Sequence, residues 1–318
     1  MRALITGVAG FAGSHLVEYL AAATDWEIWG NVLEAGHSRF IMPGARVVVA
    51  DLRDPGATRE LVEQARPDFV FHLAAQTFVP QSWADPWDTL ETNLRSQINL
   101  CETLLRSSPK AHVLVVGSNE EYGQVRSDEL PVKEDNPLRP DSPYAVSKIA
   151  QDFLGLQYFL SHGLPVVRVR PFNHIGPRQG EKFVASAFAR QIASIEAGLQ
   201  PAVVKVGNLK PLRDFTDVRD IVRAYHLALT QGEVGEVYNI GSGTPRSIRH
   251  VLDTLLSYSG ADVRIEIDPE RMRPSNTPMA YCDASKFTAR TGWTPTIPFE
   301  QTLRDVLDDW RKRVREIP

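Results

Sequence analysis

Cysteine is nearly absent: the chain carries 2 in 318 residues, Cys101 and Cys282. Two such distant thiols make neither a disulfide framework nor a cysteine metal site, so no metal is expected and a reducing, cytoplasmic setting suits them. Cys101 falls among Leu94, Ile98 and Leu105 at helical spacing and reads as a small core residue. No apolar run is long enough to span a bilayer, and with strand-like residues directly after Met1 no signal peptide is expected. A membrane is therefore not an expected partner. Basic runs are missing too, and with a formal net charge of -4 the chain offers no footprint for nucleic acid. The one basic cluster, Arg311 to Arg315, reads as a solvated helix face. Repeats and low-complexity tracts are absent. A composition that is 43% hydrophobic at this length allows a large core in one or two domains.

What is present starts at residue 7, with Gly7-Val8-Ala9-Gly10-Phe11-Ala12-Gly13 directly after a short apolar strand, 2–5. A helix is expected to follow over 11–23, with Phe11, Leu16, Val17 and Leu20 on its apolar face. Glycines between a strand and a helix let the backbone turn sharply and bring free helix N–H groups close to a phosphate. The spacing here is Gly-x-x-Gly-x-x-Gly, and its place at the head of a βα unit points to a dinucleotide pyrophosphate. Further strands are expected at 27–32, 46–50, 69–73 and 112–116, with helices at 55–64 and 86–105 between them. Short apolar strands alternating with helices argue for a parallel sheet covered on both faces, an α/β doubly wound fold. Ligands then belong at the carboxyl ends of the strands. Asp51, the run His72-Leu73-Ala74-Ala75 and Ser118 all fall there.

Downstream stands Tyr144-Ala145-Val146-Ser147-Lys148. A tyrosine and a lysine at i and i+4 share one helical face. Free tyrosine has a pKa near ~10, and a neighbouring ammonium favours the phenolate, so Lys148 is expected to lower the Tyr144 value towards useful acid–base range. Ser118 would supply a hydroxyl that orients the reacting oxygen.

With the glycine turn and Ser118, these residues resemble the extended short-chain dehydrogenases/reductases that modify nucleotide sugars. The likeness runs almost end to end. It includes Asp51-Leu52, His72 to Ala75, Thr92-Asn93, Ser118, Tyr144 with Lys148, Arg170-Pro171-Phe172-Asn173, Arg213 to Asp220 and Arg271 to Ser275. Within the family it is nearest to enzymes acting on GDP-6-deoxy-4-ketohexoses and GDP-mannose. The segments Gly117 to Gly123, Phe172 to Pro177, Val206 to Leu209 and Arg273-Pro274-Ser275 carry that part of it.

The resemblance implies a Rossmann-type sheet with a smaller, discontinuous substrate domain: 1–172 with 206–241 for NAD(P), and 173–205 with 242–318 for the nucleotide sugar. It implies Ser118, Tyr144, Lys148 and Glu120 as catalytic residues. Gly7, Gly10, Phe11, Ala12, Gly13, Asp51, Leu52, Leu73, Ala74, Ala75, Asn93, Tyr144 and Lys148 would contact the cofactor. Asn173, Arg213 and Arg273 would hold the substrate, the arginines by forking onto its diphosphate; the competing reading pairs Arg213 with Asp214 or Asp217. The cofactor is NADP or NAD. Related dehydratases have paired arginines where Val32 and Leu33 stand, and no acid sits at the expected end of the second strand, which leans the choice to NADP. Glu34 remains a candidate for ribose, and Ser38 with Arg39 for a phosphate.

Reduction of GDP-4-keto-6-deoxy-D-mannose to GDP-D-rhamnose needs only Ser118, Tyr144 and Lys148. A GDP-mannose 4,6-dehydratase, or another nucleotide-sugar epimerase or dehydratase, is the alternative. Dehydration requires a further carboxylate, and Glu120 stands where dehydratases keep one. A nucleotide-sensing regulator on the same fold is the non-enzyme alternative. The long helical patterns 86–105 and 142–162 imply a homodimer through a four-helix interface, as in enzymes of this kind.

Overall fold

The computed structural model describes residues 1–34, 40–41, 43–272 and 277–316. Seven parallel strands form its main layer: β1 (Arg2–Thr6), β2 (Glu27–Val32), β3 (Ala45–Val49), β4 (Phe69–His72), β5 (His112–Val116), β6 (Val166–Pro171) and β10 (Val237–Ile240), in the order β10-β6-β5-β4-β1-β2-β3. The strands are apolar on both faces because both faces are covered. Ala3, Ile5, Phe71, Leu114, Val167 and Val169 point to a core shared with α1 (Phe11–Ala23) and α7 (Val218–Gln231). Leu4, Val70, Val113, Val115 and Val166, the alternate positions, point to α2 (Pro55–Ala65), α4 (Pro86–Ser107) and α5 (Pro143–His162). Cys101 is buried in that second core, which pushes its thiol up to about 12.

Helix α5 starts at a fixed point. Ser142 caps it by accepting the Ala145 N–H at 3.1 Å, Pro143 occupies the first turn, and Gly163 closes it at φ 69°. The short α3 (Val79–Ala84), absent from the expected helices, precedes α4; six residues are too few to show a helical period.

After Pro171 the chain leaves the main layer. Strand β7 (Asn173–Ile175) pairs with β9 (Leu212–Asp217), which also carries β11 (Pro245–Ser247) and β13 (Met279–Ala280). β8 (Val203–Val206) pairs with β12 (Arg264–Ile267). Helices α6 (Val184–Glu196), α8 (Ile248–Ser257) and α10 (Phe299–Arg315) enclose a separate core of Phe188, Ile192, Leu252, Leu303, Val306 and Trp310. A last short helix, α9 (Ser285–Thr291), sets Phe287 and, after it, Trp293 against the main core. The return to the main layer expected at residue 206 comes at Val218 instead. Val206 and Phe215 are both buried in the smaller core, which holds this stretch away from the main sheet. The basic cluster at the end of α10 is not merely a solvated face. Arg311 forks onto Glu196 of α6 at 2.7 and 2.8 Å, and the Arg313 guanidinium lies 3.6 Å from the Trp310 ring centroid.

The turn into α10 is held from α7. The buried Asp220 carboxylate accepts the N–H groups of Thr296 at 2.9 Å and Ile297 at 2.8 Å, and the Thr296 hydroxyl at 2.9 Å. Asp220→Ala leaves these donors without an acceptor. It is expected to cost about 3 kcal/mol, read as a lowered urea midpoint.

Candidate active site

The glycine turn lies between β1 and α1, with Gly7 at φ 69°. Its backbone is drawn tight: Gly10 N–H donates to the Gly7 carbonyl at 2.9 Å, and Ser14 N–H to the Gly10 carbonyl at 2.9 Å. A Cβ at Gly13 would run into the Gly7 carbonyl oxygen, so only glycine lets α1 come this close. The N–H groups of Phe11, Ala12 and Gly13 precede the first bond of the helix and point from its positive end. Phe11 packs against His174, parallel at 5.8 Å, and edge-on to His15 at 5.7 Å.

Two residues that the motifs do not mark hold this turn. Asn31, at the end of β2, accepts the Gly7 N–H at 3.1 Å and donates to the Ala50 carbonyl at 2.8 Å. Thr6 accepts the N–H groups of Leu73 and Ala74, each at 3.0 Å, and lies 3.0 Å from His72 Nδ1. With both lone pairs engaged, the Thr6 hydroxyl donates to His72, so Nδ1 is the acceptor and the ring is neutral. Burial, and then the Lys148 charge, accordingly pull the His72 pKa down to about 3. Asp51 follows β3, where Arg53 forks onto it at 2.8 and 3.0 Å; Leu52 beside it is buried.

Ser118, Tyr144 and Lys148 are brought together. Ser118 follows β5 and begins a tight 3-10 turn, Asn119–Tyr122. Its hydroxyl faces the Tyr144 phenol. Lys148 Nζ donates to the Val116 carbonyl and to Gln151 Oε1, both at 2.9 Å, and lies 6.0 Å from the Tyr144 ring centroid. The expected lowering of the Tyr144 pKa does not occur. Burial raises it, and the Ser118 hydroxyl only partly opposes this. The Lys148 ammonium is turned towards Val116 and Gln151, and burial pulls its own pKa down to about 8. Tyr144 is therefore a protonated phenol across the neutral range, an acid ready to donate.

Beside this group opens a cavity of about 420 Å³, lined among others by Trp83, Glu120, Asp141, Phe172, Arg213 and Thr277. Asn119 and Glu120 follow Ser118, and Ser142 of the same wall caps α5, so the cavity borders Ser118 and Tyr144. Burial, and then the Asp141 charge, raise the Glu120 pKa, while Arg213 acts against them. Arg213 faces Glu120 and Asp141 and donates to the Leu212 carbonyl at 2.8 Å. The alternative pairings fail: Asp214 takes Ser242 and the N–H groups of Gly243 and Cys282, and Asp217 takes Arg219 and Thr302. Asn173 opens β7, and its buried Oδ1 has no hydrogen-bond partner.

Asn93 has no exposed surface, and its amide holds the Gln76 backbone at 2.8 and 3.1 Å and the Ser147 hydroxyl at 2.9 Å. It buttresses the cleft wall from behind. Arg273, with Pro274 and Ser275, and Ser38 with Arg39 lie outside the described residues. Asp141 and Gln151 were not singled out from the sequence, although Gln151 stands at i+3 from Lys148, a spacing at which helical side chains meet. Among the described residues no group of His, Cys, Asp and Glu could hold a metal ion, and no helix is long and apolar enough to cross a membrane.

The family model described as GDP-mannose 4,6 dehydratase matches residues 4–306. The chain belongs to that family. One relative, the GDP-6-deoxy-D-mannose reductase of Pseudomonas aeruginosa, is 40% identical over 99% of both chains. GDP-mannose 4,6 dehydratase 2 of Arabidopsis thaliana is 30% identical over 96% of this chain and 86% of its own. Among solved structures, that of RMD from Pseudomonas aeruginosa complexed with NADPH superposes with a TM-score of 0.88 at 37% identity, covering 98% of this chain and 100% of its own. This GDP-mannose 4,6 dehydratase family chain is thus an enzyme of the nucleotide-sugar oxidoreductase and dehydratase group, on a Rossmann-like parallel sheet.

The position of Lys148 sets a pH limb. Its ammonium is present below the lowered value of about 8 and lost above it. Turnover that needs this charge should fall as pH rises through about 8, while Lys148→Met should be slow and lack the limb; an initial-rate profile of both chains checks this.

Proposed function

We propose that the protein is an NADPH-dependent reductase that converts GDP-4-keto-6-deoxy-D-mannose to GDP-D-rhamnose. The observation that carries the reading is the buried, protonated Tyr144 phenol, facing the Ser118 hydroxyl and bordering a cavity faced by Arg213. The 40% identity to a GDP-6-deoxy-D-mannose reductase over the full chain supports the choice of reaction, and the likeness to a structure holding NADPH supports the cofactor.

The glycine turn fits a dinucleotide, since a Cβ at Gly13 would strike the Gly7 carbonyl oxygen and push the free N–H groups of α1 out of place. In this reading Gly7, Gly10 and the helix end at Phe11, Ala12 and Gly13 hold the pyrophosphate. Asp51 and Leu52 meet the adenine end, Leu73, Ala74 and Ala75 line the cleft, and Lys148 reaches the ribose. When bound, NADPH supplies the hydride, leaving as NADP. The residues of the chain handle the proton and the charge. Tyr144 gives its phenolic proton to the C4 oxygen as that oxygen becomes a hydroxyl. Ser118 donates to the same oxygen and holds it in line. Solvent then returns a proton to the phenolate left behind. Arg213 forks onto the diphosphate, and Asn173, with an unpartnered amide oxygen, accepts from a sugar hydroxyl. Arg273 is assigned to the diphosphate by its place in the sequence. The main sheet serves as the dinucleotide-binding unit and the smaller sheet with its helices as the sugar-binding unit.

The second reading, dehydration of GDP-mannose, has Glu120 in its favour, since that carboxyl lines the same cavity. Supplied with the keto sugar, the enzyme should oxidise one NADPH per GDP-D-rhamnose formed, and Tyr144→Phe should lose ~2–4 powers of ten in turnover while still binding NADPH. Conversion of GDP-mannose alone, without net cofactor use and dependent on Glu120, would establish the dehydratase instead. Binding of the GDP sugar with no turnover would favour a sensor.

We also propose a homodimer built on α4 and α5. Val146, Phe153 and Leu160 form an exposed apolar stripe with seven-residue spacing along α5, and Trp87 and Ile98 are exposed on α4. Such stripes on a monomer mark an interface, and a twofold pairing of two helices gives four. Light scattering should give twice the chain mass, and Phe153→Glu should give a monomer; a wild-type monomer at micromolar concentration would remove the proposal.

A further inference from the structure

Glu120 faces the cavity, but the neighbouring Glu121 turns away from it and has no exposed surface. Its Oε1 accepts the backbone N–H of Ser118 at 2.8 Å, and its buried Oε2 has no hydrogen-bond partner among the described residues and stands beside Asp152 of α5. Tyr144, Lys148 and Asp152 follow one another at four-residue spacing, on the single buried face of that helix. Asp152 is fixed in turn by Arg170, whose Nε donates to Oδ2 at 2.7 Å, and by Arg168 at 2.5 Å on Oδ1. Arg170 Nε lies 3.0 Å from Glu121 Oε2 but directs its hydrogen to Asp152. Its Nη1 donates to the Tyr122 hydroxyl at 3.0 Å, which donates to Asn239 at 2.7 Å. The Glu121 carboxyl is thus the link between the loop that carries Ser118 and the helix that carries Tyr144. A side chain at Gly117 would occupy the place of that carboxyl, so the loop is shaped around it.

We propose that Glu121 is a positioning residue that holds the Ser118 hydroxyl opposite the Tyr144 phenol by tying the Ser118 loop to helix α5. Its carboxyl acts as a neutral acid. Burial, and then the Asp152 charge, hold it well above the usual carboxylate range, so one oxygen accepts from Ser118 while the protonated one donates to Asp152. An amide has the same donor and acceptor in the same places. The sugar and the dinucleotide are not touched by Glu121, so its loss acts on the chemical step and not on binding.

The inference rests on the reductase reading for its assay only. Wild-type enzyme is offered both the keto sugar with NADPH and GDP-mannose, which tests that reading; the variants are then compared on whichever substrate is converted. Glu121→Gln should keep kcat within about 3-fold, and Glu121→Leu should lower it about 30-fold, with KM and the NADPH Kd unchanged. In a Ser118→Ala background the leucine change should cost almost nothing more, because the two residues act as one. Where Glu121→Leu does not melt cooperatively, Glu121→Asp takes its place under the same criteria, since the shorter carboxyl cannot reach both Ser118 and Asp152. Equal losses in both backgrounds, an amide variant as impaired as the leucine one, or a loss confined to KM would overturn the proposal.

Discussion

Helix α5 buries a phenol, an ammonium, an amide and a carboxylate on one face: Tyr144, Lys148, Gln151 and Asp152. Each must find a partner there, because an unpaired polar group away from water costs more than the helix can recover from packing. Ser118 meets the phenol, Val116 and Gln151 meet the ammonium, the backbone of Asn93 meets the Gln151 amide, and two arginines of β6 meet the carboxylate. These partners come from the ends of β5 and β6 and from α4. The helix can therefore sit in only one register against the sheet, and Tyr144 and Lys148 inherit that register.

The same constraint explains the acid–base behaviour. Water is kept from Tyr144, so its charged form is penalised and the proton stays on. Burial penalises the ammonium of Lys148 in the same way. A protonated phenol beside a lysine that is charged in the neutral range suits the delivery of a proton to a carbonyl oxygen. Asn31 holds the glycine turn and Thr6 the end of β4, and His72 lies between Thr6 and Gln151. The glycine turn and helix α5 are thus braced by one buried polar layer at the carboxyl ends of the strands.

Local features were legible in the sequence. The glycine turn, the strands of the main sheet and the Tyr144–Lys148 spacing each depend on neighbours within a few residues, and the structure has them close to where the pattern puts them. The smaller sheet was not legible, since strands of two to six residues joined by long connections carry no period. Nor was the direction of the Tyr144 pKa. Spacing gives the proximity of Lys148 but not the depth of burial, nor the choice of Lys148 to bond Val116 and Gln151. Arg213 could equally have paired with Asp214 or Asp217 from sequence alone; the turn at Ser242 and Gly243 and the residues Arg219 and Thr302, distant in the chain, take those carboxylates. Glu121 gave no signal, because adjacent glutamates look alike until a 3-10 turn sends them to opposite sides.

The central claim is that burial on α5 keeps Tyr144 a phenol until it gives its proton to the substrate. It is tested most directly by ¹³C NMR of the enzyme labelled at the tyrosine ring carbon bearing oxygen, with the Tyr144 signal assigned from Tyr144→Phe and followed as pH is raised. The account predicts that the signal stays at the phenol position past the point, about pH 10, where free tyrosine ionises. A phenolate signal for Tyr144 already present at neutral pH would contradict it.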